Sequence, residues 1–441
     1  MTKETLNPKS AKHLRFSELV IRVSFVIRHS SFVILRTLVL LAAAATVQAA
    51  VPLHFYFGAS KPPPGFVQVV PTNTYSTNLG YGFEPGSKVT QNTRGCTSDK
   101  PFFFSVALPE GNYRVALTLG SPTNEARTTV KAESRRLMLE SIRTLPNQFS
   151  NCSFAVNIRT PSLSSGRVRL KPRELGPPLV LHWDDKLTLE FNGSHPSVCS
   201  LEITRADDVT TVYLAGDSTV TDQPQEPWNS WGQMLPRFFT SDVAVANHAE
   251  SGESLPSFLG AKRLDKILGS MKKGDYLFIQ FGHNDQKDKR PGAGAFTTYK
   301  SNLVHFVSAA RNHGGLPVLV TPMERKAGVT NGTLGDFPAA VRQVAREENV
   351  PLIDLNAMSK VLYAALGENL NKAFQDGTHH NNYGSYELAR CVVEGIRANK
   401  LPLVKFLSED AIAFDPNHPD PPGAVHIPPS PRASAEKPEG D

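Results

Sequence analysis

The chain has 441 residues, 40% hydrophobic and 20% charged, a composition that fits a soluble globular protein with room for two or three domains. Its formal charge of +6 says little about partners: residues 1–50 hold seven Lys and Arg against two Glu, which leaves the remainder at +1. Composition therefore gives no support to a nucleic-acid-binding surface.

Residues 1–50 read as a signal-peptide region. Arg36 precedes the apolar run TLVLLAAAATVQAA, and Val47-Gln48-Ala49 fits the small-x-small pattern, so cleavage is expected after Ala49 or Ala50. The clean apolar stretch at 37–47 is short for a bilayer span, so no stable membrane insertion is expected once it is removed. Residues 1–30 are long and irregular for the leading part of a signal, which points to a true start downstream of Met1. The expected destination is the periplasm or the outside of the cell.

Residues 51–208 read as an all-β sandwich. The segment PFFFSVALPEGNYRVALTLG gives two strand-like runs around Pro109-Glu110-Gly111, a hairpin signal. FAVNIRT, GRVRLKP, KLTLEFNG and CSLEITRA follow at sandwich spacing, with no helical period between them. Cys96, Cys152 and Cys199 fall in this half and Cys391 in the next, which allows at most one bridge here and leaves its pairing open. No C-x-x-C or His/Cys cluster has zinc-ligand spacing, so neither a structural metal nor a cofactor is expected.

Residues 209–403 alternate strand-like and helical runs. The strands are expected at 211–215, 243–247, 276–281, 317–321 and 352–355. Between them, Phe296, Tyr299, Leu303, Phe306 and Ala310 recur at helical spacing up to Gly314. In the last helix Leu388, Val392 and Ile396 share a face, and Cys391 reads as a small buried hydrophobe. The pattern predicts an α/β doubly wound parallel sheet, whose ligands bind beyond the carboxyl ends of the strands. Residues 404–441, rich in Pro and polar side chains, are expected to form a disordered tail.

Four polar blocks fall at those strand ends or on the loops after them: Gly216-Asp217-Ser218, NHAESGES with Gly252, Gly282-His283-Asn284-Asp285, and DGTHH from Asp376 to His380. Alone, Gly-Asp-Ser is ordinary turn chemistry. Together the blocks supply what a serine nucleophile needs. Ser218 requires a base, and His379 is the candidate. Asp376, three residues earlier, can bond the other ring nitrogen and fix its tautomer. The backbone N–H groups of Ser218 and Gly252 and the amide of Asn284 can receive the developing oxyanion. His283 is a candidate for substrate binding, with a satisfied structural histidine as the alternative. Asp217 reads as a turn stabiliser. Trp228 and Trp231 are open between a sugar-stacking face and core packing.

These blocks, with AGDSTV, WGQML, QFGHNDQK and DGTHHNNYGSYELA, resemble the SGNH/GDSL hydrolases over about 210–400, and within them the bacterial rhamnogalacturonan acetylesterases. The resemblance implies a flavodoxin-like fold and a metal-free serine esterase acting on acetylated plant cell-wall polysaccharide. It implies Ser218 as nucleophile, His379 as base with Asp376 as its partner, and an oxyanion hole of Ser218, Gly252 and Asn284. One departure is Glu253, where many relatives carry a basic residue, which bears on preference for an acidic chain. The first half resembles galactose-binding-like or malectin-like sandwiches, leaving open a carbohydrate-binding role or one in shaping the esterase cleft. Two other readings of the whole stay open: an acetylesterase on xylan or another glycan, and a carbohydrate-binding protein with a vestigial site.

Overall fold

The computed structural model describes residues 53–175 and 181–439; the expected signal region at 1–50 lies outside the described residues. The first half builds β1 (His54–Tyr56), β2 (Val67–Gln68), β3 (Tyr81–Phe83), β4 (Phe102–Ala107), β5 (Gly111–Ser121), β6 (Ala126–Ala132), β7 (Arg136–Thr144), β8 (Gln148–Ile158), β9 (Lys186–Ser194) and β10 (Ser200–Arg205). They form two five-stranded sheets, in the orders β8-β5-β10-β1-β2 and β3-β4-β9-β6-β7. Alternate residues of both sheets point inward to one core. Phe55 and Phe57 meet Phe104 edge-on, and Phe102 stacks on Phe191 with centroids 5.0 Å apart. Burying each such ring contributes about 1.5–3 kcal/mol.

The hairpin expected at Pro109-Glu110-Gly111 does not form. β4 pairs with β3 and β9, whereas β5 pairs with β8 and β10. The turn carries the chain from one sheet to the other. Turn residues signal a reversal, but the strands' partners are fixed by distant segments. A hairpin does join β6 to β7, through Glu133 and Arg135 at positive φ.

The second half builds β11 (Thr210–Gly216), β12 (Val243–Asn247), β13 (Tyr276–Gln280), β14 (Leu316–Val320) and β15 (Leu352–Ile353), all parallel, in the order β12-β11-β13-β14-β15. Between and after them run α1 (Leu255–Gly260), α2 (Arg263–Ser270), α3 (Lys300–Asn312), α4 (Phe337–Glu347), α5 (Leu355–Leu366) and α6 (Asn382–Ala398). Strand alternation splits the core. Val212 and Leu214 pack with residues of α5 and α6, while Tyr213 and Ala215 pack with residues of α1 to α4. The sheet is therefore doubly wound, and its order reverses at β11, so the loops after β11, β12 and β13 converge.

Sandwich and parallel sheet belong to one compact unit. The β6–β7 hairpin enters the second half: Arg136 bonds Asp222 at 2.8 Å, and Arg135 donates to the carbonyls of Gln223 and Trp228. Gln233 returns a bond to the carbonyl of Ser134.

The tail is ordered, contrary to expectation. From Ser408 to Glu439 it makes no helix, and isolated contacts hold it. Ser430 is buried, bonding Glu190, Glu226 and Lys131. Ala433 bridges to Glu226 in parallel, and Arg390 lies over the Phe414 ring at 4.1 Å. Composition misread this segment because a few apolar anchors, Ala411 and Phe414 in the core with Val425 and Ile427 against it, join the buried polar contacts in holding it.

Candidate active site

β11 ends at Gly216, which sits too close to Val220 and the Gln280 carbonyl to admit a Cβ. The chain then turns sharply: Asp217 accepts from the Thr219 N–H and hydroxyl through Oδ1, and its carbonyl accepts from Val220 and Thr221. Ser218 is left at the strand's carboxyl end, fully buried by its neighbours. Burial raises the Asp217 carboxyl, but His283 and the Thr219 donors outweigh it and hold the group below the usual carboxylate range.

His379 Nε2 lies 2.9 Å from Ser218 Oγ, and its Nδ1 lies 2.8 Å from Asp376 Oδ2. Asp376 Oδ1 accepts from the backbone N–H of Thr378 and of His379, at 2.7 and 2.6 Å, so the loop closes on its own carboxylate. Burial raises the Asp376 carboxyl, but the His379 ring and these N–H donors overcome it and bring it to about 2. An ionised Asp376 fixes Nδ1–H toward itself and leaves Nε2 as an acceptor for the serine proton.

Bonds tie the two remaining loops to this row. Gln223 Nε2 donates to the Ser218 carbonyl at 2.8 Å and to Ser251 Oγ at 3.2 Å. The Glu250 N–H reaches the Gly216 carbonyl. Asn284 Nδ2 donates to the Glu253 carbonyl at 3.0 Å, which joins the third loop to the second. Gly252 has φ +76°, a conformation that suits glycine. The structure thus brings Ser218, Gly252, Asn284, Asp376 and His379 into one bonded group of loops. Its chemistry is that of a serine activated by an oriented imidazole, beside candidate oxyanion donors.

Other expected roles change. His283 does not face a substrate: it is fully buried, with Nδ1 on Asp217 Oδ2 at 3.2 Å and Nε2 on the Met323 carbonyl at 3.0 Å. It supports the nucleophile turn from beneath, because the strand end that presents Ser218 to His379 turns Asp217 toward His283. His380 points away from the serine, bonding Tyr363 OH at 3.0 Å; burial lowers it to about 3. Trp231 is core, with its N–H on Gln280, whereas Trp228 stands edge-on to the His379 ring at 5.9 Å. Glu253 faces the Ser257 hydroxyl and lies 3.6 Å from Lys171 Nζ, so a cation does stand near that position, delivered from another segment. All four cysteines are free thiols, and burial pushes Cys96 and Cys199 up to about 12. Among the described residues no three or more His, Cys, Asp or Glu cluster to hold a metal ion.

Sequence reasoning missed the contributions from outside the parallel sheet: Arg135 and Arg136 of the hairpin, Lys171 of the connecting segment, and the tail over Trp228. The charged turn KAESRR, set between two strand runs, was the one signal for the first of these.

Comparison with known proteins places these loops in a wider set. The GDSL-like Lipase/Acylhydrolase family matches residues 214–385. The chain is 41% identical over 214 residues to the rhamnogalacturonan acetylesterase RhgT of Bacillus subtilis (strain 168), a match covering 44% of this chain and 91% of that protein. It is 35% identical over 212 residues to the probable rhamnogalacturonan acetylesterase YesY of the same organism, covering 45% and 98%. The uncharacterized esterase YxiM, also from that organism, is 28% identical over 384 residues, covering 80% of this chain and 92% of its own length. That last likeness reaches past the parallel sheet into the sandwich.

Proposed function

The chain belongs to the GDSL-like lipase/acylhydrolase family, and on that premise we propose that it is a serine esterase that removes O-acetyl groups from a pectic polysaccharide, rhamnogalacturonan. The observation that carries the chemistry is the row Ser218–His379–Asp376, with its two contacts of 2.9 and 2.8 Å. The polysaccharide is supported by the names of the relatives at 41% and 35% identity.

In this reading Ser218 Oγ attacks the acetyl carbonyl carbon as its proton passes to His379 Nε2. Asp376 stabilises the imidazolium that forms. The negative oxygen of the tetrahedral intermediate is received by the N–H groups of Ser218 and Gly252 and by the Asn284 amide. The carbon–oxygen bond to the sugar breaks, and the sugar hydroxyl leaves with the proton from His379. Water, deprotonated by the same nitrogen, then attacks acetyl-Ser218 and releases acetate. The signal expected at 1–50 supports an exported enzyme, acting in the periplasm or outside the cell.

The test is acetate release from acetylated rhamnogalacturonan and from acetylated xylan, matched for acetyl content. Faster release from the first is expected. Equal rates, or a preference for xylan, would remove the pectic assignment and leave a carbohydrate acetylesterase of another specificity.

A further inference from the structure

The tail lies against the loop that follows Ser218. Glu226 N–H donates to the Arg432 carbonyl, Ser434 N–H donates to the Glu226 carbonyl, and Trp228 Nε1 donates to the Ser434 carbonyl at 3.1 Å. Since Trp228 stands against His379, the tail is one wall of the ground beside the serine. Between this wall and the segment at 171–173 is a cavity of about 330 Å³, lined by Arg173, Gln223, Trp228, Arg432 and Glu439 among others.

At its edge, Glu439 Oε2 accepts from Lys171 Nζ at 2.6 Å. Lys171 is held independently: Nζ also donates to the Ser251 carbonyl at 2.6 Å and lies 3.6 Å from Glu253. The ammonium and the carboxylate both lie over Gly252. A Cβ on that glycine would sit 2.9 Å from Lys171 Nζ and 3.0 Å from Glu439 Oε2. Lys171 is thus anchored to the residues flanking a candidate oxyanion donor, while its third partner comes from the tail. The anchoring is unequal. The Glu439 side chain is 58% exposed and that of Lys171 only 23%. An exposed carboxylate recovers its hydration when it leaves, so this pair exchanges readily with a competing carboxylate.

We propose that Lys171 is the seat for a carboxylate of the sugar chain beside the acetylated residue, and that Glu439 is the chain's own placeholder there, displaced when a uronate binds. This rests on the reading of Ser218 as the centre of a carbohydrate esterase. It adds a specificity-determining cation from outside the parallel sheet, and a tail that competes for it. The Lys171 ammonium supplies the charge beside Gly252 that Glu253 does not.

The test is titration calorimetry of the full chain with an unacetylated oligogalacturonate and with a neutral galactose oligomer of the same length, so that binding is read without ester chemistry. The acidic oligomer is expected to bind more tightly than the neutral one, and less so as salt is raised. Glu439→Gln removes the competitor and should tighten the acidic oligomer roughly two- to fivefold. Lys171→Met should weaken it by about tenfold or more. Unchanged or weaker binding by Glu439→Gln overturns the proposal, as does Lys171→Met binding the acidic oligomer like the wild type. If Lys171→Met melts early, Glu439→Gln decides alone. Acetate release by the wild type is measured beside it. Release without these binding responses defeats this proposal and leaves the esterase reading standing; absence of release defeats the esterase reading, and with it the proposal that rests on it.

Discussion

Arg136 Nε donates to Asp222 Oδ2 at 2.8 Å, and each side chain is only 1% exposed. The first residue begins a sandwich strand; the second lies on the loop after Ser218. Asp222 Oδ1 in turn accepts from Asn247 Nδ2, which also bonds the Val220 carbonyl. A guanidinium of the sandwich is thereby two residues' worth of hydrogen bonds from the nucleophile turn. This makes the sandwich a support for the site, whatever it binds itself.

Arg136→Met leaves a buried carboxylate without its closest cation, since Arg159 Nη2 is 3.9 Å from it. The expected cost is about 3–5 kcal/mol of stability, seen as a lower melting temperature. Acetate release should fall through kcat more than KM, because the loop that presents Ser218 loses its brace. A variant that melts and turns over like the wild type would make the sandwich an independent passenger.

Asp376→Asn keeps an oxygen for the Thr378 and His379 N–H groups but no longer fixes the ring with a charge. The fold should persist by circular dichroism while kcat drops by roughly 10⁴. A loss below tenfold would mean that another group orients His379.

His379 and His380 are neighbours with opposite surroundings. His380 is buried on Phe374 and Tyr363, and burial keeps it neutral down to about 3. His380→Gln should lower the melting temperature and cost less than about tenfold in kcat, whereas His379→Gln should cost at least about 10³ with little change in melting. Equal kinetic losses would contradict the assignment of the base.

Most of the parallel sheet was legible because its strands are continuous apolar runs bounded by turns, as in the segment that ends at Gly216. Ser218, Asp376 and His379 were legible for a related reason: each lies at a strand end or just before a helix, where the fold sends polar chemistry. The rest depended on pairings that a local pattern does not encode. Pro109-Glu110-Gly111 looks like a hairpin because turn residues do not record which sheet follows. His283 looked like a site residue because GHND gives no sign that Asp217 turns inward to meet it. Arg136 and Glu439 act across more than 80 and more than 200 residues of chain, where spacing says nothing about contact.

Asp285 follows Asn284 and accepts from the Leu255 N–H through Oδ1, while its other oxygen is buried with no hydrogen-bond partner among the described residues. Burial raises this carboxyl from the ordinary 3.8 to about 7. The folded chain therefore keeps a proton that the unfolded chain releases, and stability falls as pH rises from about 4 to about 7. Asp285→Asn carries no such proton. Its stability relative to the wild type should grow across that window, by about 2–4 kcal/mol in all, and then level off above it. Urea melts of both proteins at about pH 4.5, 6 and 8 check this; a constant difference would show that Asp285 is ionised in the fold.

In the proposed reaction Ser218 carries the acetyl group. Acetate release from acetylated rhamnogalacturonan by wild type and by Ser218→Ala, at equal concentration and with both shown to be folded, tests it most directly. Steady release by the wild type and a fall of at least about 10³ in the variant are expected. Release by Ser218→Ala within tenfold of the wild type (roughly 1.4 kcal/mol in barrier) would contradict it.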